Sequence, residues 1–296
     1  MRRLILILVP YLWLLALFLV PFLIVVKISL SDVALARPPY FPQLDLSGGW
    51  AAIRDFVAEL DFENFAFLAS DDLYWKAYLS SLRIALISTL LTLLIGFPVA
   101  YGMASARPEW RPTLMMLVIL PFWTSFLIRV YSWMGILSQN GLLNTFLLWT
   151  GVISEPLTIM NTEIAVYIGI VYTYLPFMIL PIYATLEKLD GSLLEAAEDL
   201  GCSRTSAFWL VTVPLSKPGI IAGCFLVFIP AIGEFVIPSL LGGSDTLMIG
   251  KVLWEEFFNN RDWPVASAVA VVLLAILIIP IVLFQRNEQK NREAGQ

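Results

Sequence analysis

Histidine is absent from all 296 residues, which removes histidine metal ligands, Ser-His-Asp and Cys-His nucleophile arrangements and histidine proton relays together. Charge is scarce as well: Asp, Glu, Lys and Arg make up 14% of the chain, where a soluble domain carries about 25%. The net charge is −5 and the 18 Lys and Arg are scattered, which argues against a nucleic-acid partner. There are two cysteines, Cys202 and Cys224, in or beside a segment expected on the cytoplasmic side. A structural disulfide is therefore not expected, and both read as buried small apolar residues. The chain lacks a G-x-x-x-x-G-K-[ST] phosphate loop, a nucleophile elbow, a metal-ligand cluster, an internal repeat and a flexible linker. An intramembrane enzyme is accordingly disfavoured, and one integral domain is the economical description.

What is abundant is apolar surface: 59% of residues are hydrophobic and the mean hydropathy is +0.83. Runs of about 20 apolar residues, each long enough to cross a bilayer core, recur along the chain. They give six expected spans: Leu4–Val26, Ile84–Ala104, Leu114–Leu137, Ile164–Leu186, Gly219–Leu241 and Val265–Phe284. The first is too long for a signal peptide, whose apolar region spans about 7–15 residues, so Ala34-Leu35-Ala36 is not read as a cleavage site. Orientation follows from Lys and Arg in the short loops. Arg2, Arg3, Arg107, Arg111, Lys188, Arg204, Lys217, Arg286, Lys290 and Arg292 fall on one side, and Arg37, Arg54, Lys76, Lys251 and Arg261 on the other. Both termini are expected in the cytoplasm.

The chain therefore reads as a first helix at 1–30, an extracytoplasmic loop at 31–79, a five-span core at 80–286 and a cytoplasmic tail at 287–296. The loop holds Asp32, Asp45, Asp55, Glu59, Asp61, Glu63, Asp71 and Asp72 against Arg37, Arg54 and Lys76. Such a surface is either a plain solvated loop or a field that gathers cationic solutes or a basic partner. Gly48–Phe67, with Trp50, Ile53, Phe56, Val57 and Leu60 at helical spacing, reads as one short amphipathic helix packed on the bundle.

Between the fourth and fifth spans lies a cytoplasmic loop, 187–217, patterned as two short helices around a glycine. Ser192 and Glu195 have capping-box spacing, and Leu194, Ala197 and Leu200 form one apolar stripe. Gly201 permits a left-handed turn, and Ser203 or Thr205 caps a second helix running to a kink at Pro214. Such a helix-turn-helix is either a structural elbow or a docking element for another protein.

The run Glu195-Ala196-Ala197, three residues, Gly201, nine residues, Val211, one residue, Val213-Pro214 resembles the E-A-A, x3, G, x9, I-x-L-P loop of the membrane subunits of ABC uptake transporters. Valine replaces isoleucine and leucine, which keeps the apolar character. The likeness extends to Pro121–Trp133, Tyr172–Met178, Ile229–Pro238 and Phe257–Pro264, which resemble the polyamine permeases. Gly233–Pro238 and Lys27–Leu30 are most similar to the putrescine type.

This resemblance implies an all-α type I ABC importer permease in the bacterial inner membrane, carrying a polyamine, with putrescine first. Spermidine, thiamine or a metal–anion complex are rival cargoes, and a stand-alone channel is the rival class. It implies that Glu195 makes a polar contact to a cytoplasmic ATP-binding subunit, Ala196 and Ala197 permit close approach, Gly201 forms the turn and Pro214 closes the signature. A dimer of those subunits would use ATP and Mg, this chain binding no cofactor. A second related permease chain and a periplasmic polyamine-binding protein would complete the system.

Two charges fall inside the expected spans. Glu234 lies about 15 residues into the fifth and Arg129 about 15 into the third, each roughly 22 Å from the cytoplasmic end, so an ion pair between them is geometrically possible. Glu234 either pairs structurally or faces the path and receives an ammonium; for Arg129 a structural or interfacial role is preferred. Trp123, Tyr131, Trp133, Tyr172 and Tyr174 offer aromatic faces for weak cation–π contacts, or are interface packing. Prolines 98, 121, 176, 181, 230 and 238 mark places where helices break.

Overall fold

The computed structural model describes residues 2–43 and 49–294; Asp45 and Gly48 of the acidic segment lie outside the described residues. Two compact units divide the chain: Met1–Tyr78 with Ile249–Gln296, and Leu79–Met248.

The first unit starts with α1 (Arg2–Leu14), which passes through a π turn at Leu15–Leu19 into α2 (Val20–Ser29). A short antiparallel ladder follows, β1 (Asp32–Val33) with β2 (Tyr40–Phe41), in the register Asp32↔Phe41. Lys27 ties it to the helix: its ammonium donates to the Pro42 carbonyl at 2.7 Å and stands 4.0 Å from the Tyr40 ring centre. The acidic segment forms two helices, α3 (Gly49–Ala58) and α4 (Glu63–Ser70), instead of the one expected. The reason is Asp61, whose carboxylate accepts the Glu63 amide at 2.9 Å and starts a new helix. On α3 Ile53 and Phe56 are half-buried while Trp50 and Val57 are exposed.

Next comes α5 (Asp72–Ser105), which begins three turns before the expected second span because the Asp71 carboxylate accepts the Leu73 amide. The second unit then holds α6 (Arg111–Ile119), a 3-10 turn at Leu120–Trp123, α7 (Phe126–Leu137), α8 (Leu142–Trp149) and α9 (Glu163–Leu186). It closes with α10 (Ser192–Asp199), α11 (Arg204–Ala207), a π turn at Phe208–Thr212, α12 (Val213–Ile232) and α13 (Val236–Leu241). Returning to the first unit, α14 (Ile249–Trp254) runs through a π turn at Glu255–Asn260 to Arg261, which is left-handed at φ 56°, and then α15 (Trp263–Ala294). Helix α15 packs on α2 and α4, and the Tyr78 hydroxyl donates to the Val269 carbonyl at 2.8 Å.

Among the described residues four helices are long and apolar enough to cross a membrane: Ile7–Ser29, Asp72–Ser105, Glu163–Leu186 and Arg204–Ile232. The expected third span is not one rod. Arg111–Trp123 and Phe126–Trp149 meet at 89°, because Pro121 tightens the chain into a 3-10 turn and Thr124 and Ser125 are extended. The expected fifth span also breaks, at Gly233 after Ile232. Where the sixth was expected, α15 carries the apolar stretch Trp263–Ile278. Pro214 makes no kink: Arg204–Ile232 is one helix of 29 residues, and the π turn before Pro214 absorbs its missing amide. Pro176 and Pro181 likewise sit inside an unbroken α9.

The core of the second unit is α9 against α12, around Ala100, Met103, Met178, Ile179, Ile182, Tyr183, Leu186 and Val227. Gly219 and Gly223, four apart, let the backbones approach closely in the small-x-x-x-small manner of membrane helices. A Cβ on Gly219 would lie 2.7 Å from the Pro181 carbonyl oxygen, and one on Gly223 would lie 2.7 Å from Met178 Sδ. Gly102 faces open space. Overpacking costs about 1–3 kcal/mol, so Gly219→Val should lower the thermal unfolding midpoint in detergent by several degrees while Gly102→Val leaves it within about a degree. Equal midpoints would contradict this packing.

Candidate functional site

The break after Ile232 builds the site. Gly233 ends α12, and the first amides of the helix that follows need acceptors, which hydrocarbon does not supply. Glu234 supplies one: its Oε1 accepts the amides of Val236 at 3.0 Å and Ile237 at 3.4 Å, starting α13. Its Oε2 accepts the Tyr174 hydroxyl of α9 at 2.7 Å. The carboxylate is 8% exposed and thus holds three donors from its own chain, with a lone pair on Oε2 unspent.

Arg129 does not pair with Glu234. Among the described residues no carboxylate lies within 4.0 Å of its guanidinium, which rests 5.1 Å from the Phe122 ring centre and 5.9 Å from that of Phe126. Its Nε–H is buried without an acceptor. The comparable depths expected for the two charges assumed two straight helices, and the breaks at Thr124-Ser125 and Gly233 remove that premise.

The aromatic candidates do not form one path. Tyr172 and Tyr174 are two residues apart on α9, so they point about 200° apart. Tyr172 packs edge-on against Trp133, ring centres 5.4 Å apart, and the pair lines an apolar cavity of about 420 Å³ with Leu91, Ile95, Tyr167 and Val171. Tyr174 faces Glu234, and its ring lies 6.0 Å from Phe177, which meets Phe122 at 5.2 Å. Trp123 and Tyr131 are exposed on the single chain, at 73% and 56%. Phe122 and Phe177, both partly exposed, are the members that residue-type reasoning missed. Their place beside an aromatic that contacts a buried carboxylate is not visible without the bend.

At the loop after α9, the cap of α10 is Asp190 and not Ser192: the Asp190 carboxylate accepts the Ser192 amide at 3.0 Å. These contacts with Ser192 hold the Asp190 carboxyl below its ordinary range, so the cap is present at neutral pH and lost as pH falls through that lowered value. Gly201 takes the left-handed turn at φ 87°, and Ser203 caps α11 by accepting the Ser206 amide at 3.2 Å. The buried face of α10 is Ala197 with half-buried Leu194, whereas Leu200 is 87% exposed. Leu193, Ala196 and Leu200 share the outward face, with Glu195 exposed beside it. At the loop's entry, Glu187 accepts the Tyr183 hydroxyl at 2.8 Å and stands 3.8 Å from Arg111. Cys202 and Cys224 are free and half-buried, less covered than expected, Cys202 in the turn between α10 and α11 and Cys224 within α12. On the acidic segment, carboxylates of Asp32, Asp61 and Glu63 converge within 4.8 Å of one another, all exposed.

The family model described as "Binding-protein-dependent transport system inner membrane component" matches residues 3–291. The spermidine/putrescine transport system permease protein PotB of Haemophilus influenzae is 46% identical over 241 residues, 80% of this chain and 83% of that protein. PotB of Escherichia coli K12 is 42% identical over 257 residues, 80% of this chain and 94% of the relative. Among solved structures, a chain of a bacterial ABC transporter involved in the import of the acidic polysaccharide alginate superposes with a TM-score of 0.66 at 17% identity, covering 96% of both chains.

A hydrogen bond to a charged acceptor contributes about 1.5–3 kcal/mol. Tyr174→Phe should therefore lower the unfolding midpoint in detergent measurably, and Glu234→Ala, which also uncaps α13, should lower it further. The reverse order would mean that Glu234 does not cap the break.

Proposed function

The chain belongs to the binding-protein-dependent transport system inner membrane components, and on that footing we propose that it passes a polyamine, putrescine first, from an extracytoplasmic binding protein to the cytoplasm. It is an inner-membrane permease subunit with the fold of the ABC importer permeases, and ATP hydrolysis belongs to separate subunits. The observation that carries the cargo reading is the 46% identity to a spermidine/putrescine permease over 80% of the chain. Putrescine is taken over spermidine on the likeness of Gly233–Pro238 and Lys27–Leu30 to the putrescine type.

In this reading α10 is the coupling helix. Its outward Leu193, Ala196 and Leu200 seat in a cleft of the ATP-binding subunit, and Glu195 makes the polar contact. ATP and Mg are held by that subunit dimer, and a second related permease chain completes the path. Closure of the dimer moves α10, and Arg204–Ile232 carries the movement as one helix to the break at Gly233 and Glu234. There the remaining Oε2 lone pair takes an ammonium, with the Tyr174 and Phe177 rings offering weak, releasable cation–π contact. The convergent carboxylates of Asp32, Asp61 and Glu63 raise the local concentration of cationic cargo at their own surface.

The test is uptake of labelled putrescine into proteoliposomes holding the complete complex, with ATP inside and binding protein outside. Glu195→Ala should reduce binding-protein-stimulated ATPase and uptake together by about tenfold or more, since it removes a contact at the coupling interface. Glu234→Gln should reduce uptake by about 10–100-fold, the worth of a charge-assisted contact, with the complex still assembled. Uptake that proceeds without ATP would contradict the importer mechanism and favour a channel.

A further inference from the structure

Arg129 is a buried charge of the second unit for which no carboxylate partner stands among the described residues. It is 9% exposed, its Nε–H has no acceptor, and its guanidinium lies on the faces of Phe122 and Phe126. A cation–π contact offsets part of the cost of burying a cation, but an aromatic face does not replace the lost hydrogen bond. Ionisable groups at membrane depth persist where they meet a partner, a water-filled cavity or a ligand path.

The neighbours of Arg129 lead to one end of the site already described. Its guanidinium is 5.1 Å from the Phe122 ring centre, Phe122 meets Phe177 at 5.2 Å, Phe177 meets Tyr174 at 6.0 Å, and the Tyr174 hydroxyl touches Glu234 at 2.7 Å. A carboxylate and a guanidinium thus stand at opposite ends of a strip of three aromatic rings, Tyr174, Phe177 and Phe122.

We propose that Arg129 is a specificity-determining residue of the cargo path, whose fixed positive charge limits how many ammonium groups the aromatic strip admits beyond Glu234. The inference rests on the reading of Glu234 and Tyr174 as path residues. One ammonium of the cargo sits at Glu234, and its methylenes lie along the ring faces. A short diamine keeps its second ammonium over the aromatic faces, at a distance from the guanidinium. A longer triamine laid along the same strip brings a further ammonium toward Arg129, where like charges repel strongly in a medium of low dielectric. The two phenylalanines under the guanidinium hold that charge in place and leave it unneutralised, which is what a repulsive filter requires.

The experiment measures initial rates of ATP-driven uptake of putrescine and of spermidine by the complete complex in proteoliposomes, each with the same saturating binding protein, so that selection by the binding protein cancels between variants. Arg129→Gln and Arg129→Met, which remove the charge, should raise the spermidine-to-putrescine ratio about tenfold, and Arg129→Lys, which keeps it, should leave the ratio near wild type. A residue that only braces the helices would change both rates together and leave the ratio unmoved. The proposal is overturned by an unchanged ratio in an assembled neutral variant, by a ratio that Arg129→Lys shifts equally, or by failure of both neutral variants to assemble while Arg129→Lys assembles. Failure of the underlying reading is separate: the wild type would then take up neither amine, or Glu234→Gln would leave both rates intact.

Discussion

A helix that restarts inside a membrane presents first-turn amides that lipid cannot satisfy, and the second unit of this permease is arranged around the carboxylate that accepts them. Glu234 receives the amides of Val236 and Ile237 and the hydroxyl of Tyr174, which joins the broken helix α12–α13 to α9. The same acceptor that makes the break tolerable is also a buried carboxylate at a point where the helical ladder is interrupted. A structural cap and the proposed cation site are therefore not alternatives here. The cap uses Oε1, and Oε2 is shared with a hydroxyl that can rotate away.

The helix arriving at that break connects it without interruption to the loop that carries α10. Arg204–Ile232 is a single helix of 29 residues, about 44 Å at 1.5 Å per residue, and it begins directly after the left-handed turn at Gly201. Its contact with α9 is set by Gly219 and Gly223, where bare backbone approaches Pro181, Thr185 and Met178. Close backbone packing transmits displacement with little loss, because a filled interface has few intermediate arrangements. Helix α10 turns Ala197 to its inner face and leaves Leu193, Ala196 and Leu200 exposed.

Local chemistry carried much of this in the sequence. The left-handed Gly201, the Ser203 cap and the first, second and fourth apolar spans are properties of single residues and short spacings, and they appear in the structure where the spacing put them. What was not legible was the direction of helices beyond a break. The 89° bend after Trp123 and the stop after Ile232 are not set by residue type alone, since Pro176, Pro181 and Pro214 sit in helices that continue. Once the bends are known, the straight-rod depth of Arg129 fails and so does its pairing with Glu234. Periodicity misread α10 for a related reason: Leu194–Ala197–Leu200 and Leu193–Ala196–Leu200 are both valid helical stripes, and burial chose Ala197 for the inside.

The measurement that tests this account most directly is a cryo-electron microscopy structure of the complete complex trapped with polyamine in the membrane. It should place an ammonium within hydrogen-bonding distance of Glu234 Oε2, with the Tyr174 hydroxyl turned aside and the Val236 and Ile237 amides still on Oε1. Cargo density elsewhere, with the Tyr174–Glu234 hydrogen bond intact, would contradict it.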